Sequence, residues 1–328
     1  MNQKRALVAA FIPLLLSGCF SSDGINPVVS QQFVHKYGFA VTPEEWQERE
    51  GDGQIVEMLA SGVKIVRSYE NGALHGTSTY TFPNSSVIEK LQVYDQGTLL
   101  KEVAYDGTGM PIREDVYEFD DRTITTLWDD KGAPLSIEEY NGGLLTDAKY
   151  YTASHDLEGQ VEGGFGERVR RDRSGLMLSR ETIQNGVATV RTTYHPNGEI
   201  HTVSRYDGDQ LHGEQLKFTS NGKPLMKLNW NHGVLNGIKV AFRNGFKVAE
   251  IPYVNGLKDG VETHFDDMGN LTAEIVWQKD KKHGPSKFLN EDSEETEWFY
   301  RGQAVAKDRY DMLANRDRLV ADLHGETR

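Results

Sequence analysis

An aromatic residue returns every 23 to 25 positions through most of this chain, and that period decides what the chain can fold into. Trp46, Tyr69, Tyr94, Tyr117 and Tyr140 are spaced by 23, 25, 23 and 23 residues. Tyr206, Trp230, Tyr253, Trp277 and Tyr300 follow at 24, 23, 24 and 23. The gap of 66 residues between Tyr140 and Tyr206 holds three units, with Val161 and Ile183 as degenerate anchors. A glycine stands seven residues past many anchors, at Gly53, Gly76, Gly213, Gly237, Gly260 and Gly284, and the last five are read as turn glycines. A second aromatic comes next, at Tyr80, Phe218, Phe242, Phe265 and Phe288. Self-similarity at a fixed period marks a repeat protein, in which one unit cannot bury its ring alone and leans on its neighbours.

Each unit reads as two short strands and two turns. Gln215-Leu216-Lys217-Phe218 is extended, Ser220-Asn221-Gly222 turns, and Leu225 to Trp230 returns. Asn-Gly supplies the positive φ that a tight hairpin needs. Leu271, Ala273, Ile275 and Trp277 alternate with other residues at the period of a half-buried strand. Glycine punctuation every ten to fifteen residues breaks any long helix across 46–300. The expected fold is all-β, an elongated array of about eleven hairpin repeats over residues 42–303, with the anchor rings stacked as a ladder. Thr42-Pro43-Glu44-Glu45 has the N-cap and early acids of a short helix. Lys307 to Leu323 lacks glycine and spaces Tyr310, Leu313, Asp317 and Val320 as a helix does, so 304–328 is expected to cap the sheet edge.

The N-terminus constrains location. Lys4 and Arg5 precede an apolar run of eleven residues, Ala6 to Leu16, too short to span a bilayer. Leu16-Ser17-Gly18-Cys19 follows and resembles the lipobox of a bacterial lipoprotein, with Cys19 as the acylated residue and 1–18 as signal peptide. Two or more acyl chains hold a protein stably on a membrane. Phe20, where an inner-membrane lipoprotein carries Asp, resembles the pattern sent to the outer membrane, facing the periplasm. Residues 19–41 are expected to be a tether. Loss of 1–18 takes Lys4 and Arg5 with it and moves the formal charge from −13 to about −15, which disfavours nucleic acid and favours a basic partner. Cys19 is the only cysteine, so its lipidation leaves no thiol for disulfides, catalysis or metal.

The unit Tyr206-Asp207-Gly208-Asp209-Gln210-Leu211-His212-Gly213, followed by Phe218 and Asn221-Gly222, resembles the bacterial variant of the MORN repeat, and Tyr69 to Gly76 matches as closely. The resemblance spans Trp46 to Tyr300, except for a degenerate stretch from Tyr151 to Ser179. Chains of this kind are grouped with the YwqK family of antitoxin components, which implies a binding rather than a catalytic role.

Candidate chemistry is sparse. His75, His212 and His283 precede turn glycines. Units separated by strand spacings do not bring three such side chains onto one metal without special curvature. The pairs Asp120-Asp121, Asp129-Asp130 and Asp266-Asp267 lack the rhythm of calcium-binding β-rolls. No nucleophile elbow, phosphate loop or zinc-protease motif occurs, and Gly163-Gly164-Phe165-Gly166 reads as a bulge or loop. The acidic run Glu291 to Glu297 is either a solvated loop or a dock for a basic partner. The sequence therefore leads to the expectation of a non-enzymatic, cofactor-free, lipid-anchored binding protein. Its sharpest form is an immunity-type lipoprotein that neutralises a toxin. An envelope scaffold is the alternative, and polysaccharide binding through the rings is a third reading.

Overall fold

The structure, a computed structural model, describes residues 27–290 and 293–323. Residues 1–18, expected to be a signal peptide, and Cys19 lie outside the described residues. Elsewhere the hairpin chemistry is followed closely. Lys64–Glu70 runs into Asn71 and Gly72, at φ 51° and 74°, and returns through Ala73–Leu74 and Gly76–Thr81. Such left-handed pairs form the two-residue turns whose twist suits antiparallel strands. Every strand pairing among the described residues is antiparallel and joins strands next to each other, or next but one, along the chain. The result is one sheet of about 28 strands that does not close, 64% of the chain in strands against 7% in helices.

Of the glycines seven past the anchors, Gly76, Gly213, Gly237, Gly260 and Gly284 lie in bulges, away from the turns, while Gly53 stands in regular register opposite Tyr69. Ser204 faces Gln215 and Tyr206 faces Leu211, so the incoming strand carries two extra residues around Gly213. Ile275–Ser286 and Trp277–Lys282 show the same excess around Gly284. These glycines hold φ of 84° and 114°, a region closed to most side chains. A bulge bends its strand and increases the local twist. The bend lets each hairpin tip lean on the one before it. The backbone N–H of Gly97 donates to the Leu74 carbonyl at 2.7 Å, Gly233 to Leu211 at 2.8 Å, Gly256 to Leu235 at 2.8 Å and Gly302 to Lys282 at 2.8 Å.

Both ends differ from the body. Helix α1 (Pro43–Glu48) has the full capping box: Thr42 accepts from the Glu45 N–H, and the Glu45 carboxylate accepts from the Thr42 N–H. Trp46 therefore sits on a helix and not on a repeat strand, buried against Phe33 and Tyr69 at 5.6 and 6.1 Å between ring centroids. Residues 28–41 are not a tether. Val28–His35 pairs with Gly53–Leu59 and with Ala40–Val41, a strand concealed in the sequence by its Ser-Gln-Gln centre. Helix α2 (Lys307–Leu323) occupies the expected place and packs Tyr310 on Trp298, rings 5.0 Å apart.

The anchor rings do not stack into a ladder. Trp46 and Tyr69 form the one ring contact between consecutive anchors among the described residues. The physical reason is spacing: successive anchors are two strands apart, about 9–10 Å, beyond ring contact. Tyr69, Tyr94, Tyr140, Tyr206, Trp230, Tyr253, Trp277 and Tyr300 are half-buried and Tyr117 is 36% exposed. Cations take the intervening space: Lys258 lies 4.4 Å from the Trp277 centroid and Arg191 5.2 Å from that of Tyr206.

The tightest core instead occupies the stretch where the repeat degenerates. Leu145, Ala148, Tyr150, Val161, Val169 and Ile183 form one buried cluster. The strands Leu157–Glu162 and Phe165–Arg171 share only two register pairs, Val161 with Gly166 and Glu162 with Phe165, before they splay. A Cβ at Gly159 would stand 2.8 Å from Val169 Cγ2, and one at Gly166 would stand 2.1 Å from the Gln160 carbonyl oxygen. The chain folds over itself here, and only glycine allows the approach. This burial predicts unequal costs. Tyr150→Ala should lower stability by about 3–5 kcal/mol, and the half-buried Trp230→Ala by about 1–2 kcal/mol, as read from chemical denaturation midpoints.

Candidate functional site

The fold at the centre assembles the most buried ionic chemistry of the described residues. Strand Pro134–Asn141 supplies Glu138 and Tyr140, Leu144–Tyr151 supplies Tyr150, Phe165–Arg171 supplies Arg168, and Met177–Gln184 supplies Glu181. Arg168 reaches across to Glu138 with both prongs of its fork, Nε to Oε1 at 2.7 Å and Nη2 to Oε2 at 2.8 Å. Tyr150 donates to Glu138 Oε1 at 2.9 Å and Tyr140 donates to Oε2 at 2.7 Å. The Tyr140 hydroxyl in turn accepts from Arg168 Nη2 at 2.6 Å. Glu181, 2% exposed, lies 3.6 Å from Arg168 and accepts from Arg191 Nε at 2.6 Å. From the loop beyond, Arg173 donates to Asp106 at 2.9 Å, spanning 67 residues.

Electrostatics follow from this packing. Burial alone would raise the Glu138 pKa, but the Arg168 fork and the two hydroxyls outweigh it and hold the carboxyl below the ordinary glutamate range. Burial, then the Glu138 charge, pushes the Tyr140 hydroxyl up to about 12, and the same causes raise Tyr150. The carboxylate stays ionised and the hydroxyls stay protonated through neutrality. Glu138 accepts four hydrogen bonds, a complete set for a carboxylate, so its chemistry is committed to holding the fold. A cleft of about 510 Å³ opens beside the network, bordered by Arg113, Arg170, Arg171 and Tyr151. Arg113 is engaged by Asp115 and Arg171 by Glu158. Arg170 is exposed and has no ion-pair partner among the described residues.

The residues singled out in the sequence are dispersed by comparison. His75 lies between Glu70 and Asp95, at 3.1 and 3.2 Å. His212 packs on His232, which meets Asp207 at 3.1 Å. His283 packs between Tyr300 and Tyr310. Among the described residues no group of three or more His, Cys, Asp or Glu is placed to hold a metal ion. Asp129 and Asp266 spend their carboxylates on the N–H groups of their own turns, two and four residues on. Asp120 and Asp121 themselves occupy left-handed turn positions at φ 62° and 58°. Of the acidic run, Ser293–Glu297 is part of a strand, Ser293–Tyr300. Gly163 and Gly164 form a tight turn, φ 55° and 82°.

Sequence reasoning missed the Glu138–Arg168–Glu181 network, although a signal exists. Two residues before most anchors, on the same face, stand Gln92, Asp115, Glu138, Glu181 and Ser204, all buried, and then Leu228, Ile251 and Ile275. A polar row that switches to apolar along one face marks the units that pair charges across strands.

Comparison with known proteins agrees on the repeat. The family described as MORN repeat variant matches residues 211–232, which cover one bulge and two paired strands with the turn between them. No curated protein matches the chain. Among solved structures, "Crystal Structure of TcdB2-TccC3-TEV" is similar at 11% identity and a TM-score of 0.20, over 76% of this chain and 19% of that one. The chain thus spans about a fifth of that structure's length, and a likeness at this score carries no argument about fold or function.

The network makes a prediction for stability. Arg168→Met should cost about 3–5 kcal/mol, because it strands the buried Glu138 charge. The loss should depend on pH in a definite direction. In the native chain the depressed Glu138 pKa stabilises the fold above the unfolded value, and this is lost as pH falls through the folded value. In the variant, protonation relieves the stranded charge. The gap between the two proteins should therefore narrow from about pH 7 to about pH 4, as measured by urea denaturation at each pH.

Proposed function

We propose that this chain is a non-enzymatic, lipid-anchored protein-binding repeat protein of the bacterial envelope. In its sharpest form it is an immunity or antitoxin-like lipoprotein that neutralises a toxin partner in the periplasm. The observation that carries the reading is the long open sheet, whose faces and tips offer extended surface while its buried charges are spent on structure. A MORN repeat variant at 211–232 is consistent with a binding scaffold. The Leu16-Ser17-Gly18-Cys19 motif supports anchoring through Cys19, and the acidic balance supports a basic partner. An envelope scaffold that tethers a protein or cell-wall partner is the second reading, favoured by the same unbroken length of sheet.

Two outcomes test this. Cys19→Ser should abolish metabolic labelling with palmitate and release the chain from washed membranes; retention with unchanged labelling would remove the lipoprotein reading. The detergent-solubilised chain should bind a toxin encoded beside its gene with a dissociation constant on the order of nanomolar, and association should slow as salt screens the long-range attraction. A deletion that never sensitises cells to a neighbouring effector, with only envelope-assembly proteins recovered on the chain, would favour the scaffold.

A further inference from the structure

The C-terminal end of the sheet leaves part of one strand edge open. Strand Ser293–Tyr300 pairs from Ser293 through Phe299 with Lys281–Asn290 on one side. On the other side the short strand Gln303–Val305 meets only Trp298, Phe299 and Tyr300. Helix α2 does not continue the cover. Its Tyr310 packs on Trp298, while its Asp317 accepts from Tyr300 at 2.6 Å and Arg301 at 2.8 Å. The helix therefore runs back toward the Arg301-Gly302 turn and away from Ser293–Glu297. Among the described residues nothing pairs with the outer edge of those five, all of them exposed.

Hairpin geometry says which groups are free. In a two-residue turn the flanking pair, here Tyr300 and Gln303, exchanges its backbone bonds. Trp298 and Tyr300 thus aim their N–H and C=O groups outward to Gln303–Val305. The register back to Ser293 has no bulge, so Glu294 and Thr296 aim theirs the same way, into open space. An open cleft of about 560 Å³ lies along this edge, between Thr296–Trp298 and Ala304–Lys307. Bare sheet edges take up further strands unless something selects against it. Here the selector is charge. Glu295 and Glu297 have no ion-pair partner among the described residues, and Glu294 is only loosely engaged by Lys287 at 3.7 Å. A second copy of this edge would set carboxylates against carboxylates, whereas an extended segment with lysine or arginine at alternate positions would place its cations on the face that carries Glu295 and Glu297.

We propose that the edge Ser293–Glu297 is a docking strand that takes up an extended, basic segment of a partner protein by strand addition. The proposal rests on the protein-binding reading above and supplies its mode: backbone bonds give the register and the carboxylates of Glu295 and Glu297, on one face, choose the partner.

The test uses the full chain in detergent and a blocked peptide of alternating Lys and Val as probe, with a Glu–Val peptide as control. The Lys–Val peptide should bind, the control should not, and hydrogen exchange should slow over 293–297 on binding. Thr296→Pro removes an outward-facing N–H that the described fold does not use, and proline is tolerated on edge strands. It should weaken peptide binding at least tenfold, with the circular dichroism unchanged. The triple variant E294K/E295K/E297K should do the same and should admit the Glu–Val peptide. Undiminished binding by Thr296→Pro would overturn the proposal, since surface charge alone would then hold the peptide. Concentration-dependent growth of end-joined copies without peptide binding would overturn it too, by making a second copy the occupant. A toxin still captured by Thr296→Pro would place the docking elsewhere and leave the protein-binding reading standing; capture of no toxin by the native chain, with the peptide bound as expected, would fail that reading instead.

Discussion

Everything in this sheet depends on the hydrogen bond by which one hairpin tip leans on the tip before it. In a flat antiparallel sheet, consecutive tips on one side stand two strands apart, about 9–10 Å, too far for such a bond. The chain closes the distance by inserting residues beside the anchor, at Gly76, Gly213, Gly237, Gly260 and Gly284, so that the incoming strand bends while its partner does not. A bulge thus turns a row of separate hairpins into a coupled series. The anchor ring fills the bend and cations from the preceding unit cover it, as Lys258 covers Trp277. These rings act as local wedges in a chain of nearest-neighbour couplings.

The centre obeys a different rule. Between Leu144 and Gln184 the anchors are aliphatic and fully buried, and the hairpin Leu157–Arg171 splays after two pairs. What holds this stretch is long-range: the Arg168 fork on Glu138, with Glu181, and the Arg173 contact with Asp106. A buried ion pair gives little net stability but tolerates few arrangements, since every misplaced group would be left unpaired. It fixes one way of folding the sheet over where the repeat pattern no longer dictates one.

Periodicity and turn chemistry carried most of the architecture. The Asn-Gly steps, the alternation in Leu271 to Trp277, the capping signal at Thr42 and the glycine-free run from Lys307 all led to elements that the structure contains. Three features were hidden for separate reasons. Val28–His35 joins the sheet although its Ser-Gln-Gln centre lacks an alternating face. Bulge glycines and turn glycines look alike in sequence, since both need positive φ. The central network depends on residues 30 positions apart, Glu138 and Arg168, whose meeting comes from a fold-over that no local rule encodes. A related irregularity is His155, at φ 66° in the turn position that Gly109, Gly132 and Gly175 hold in other units, tied to the buried Asp129 at 3.1 Å.

The split between a coupled series and a fixed centre bears on how such a chain lengthens or shortens over generations. A unit such as Tyr253–Val276 pairs only with its neighbours, and its bulge, turn and tip bond travel with it. Duplicating or deleting it in frame moves the C-terminal end by two strands and leaves every other register intact. No unit between Glu138 and Arg168 has that freedom, because the guanidinium must land on one carboxylate from a set number of strands away. Copy number can therefore drift toward the C-terminal end, carrying the terminal edge with it as a movable head on an invariant hub.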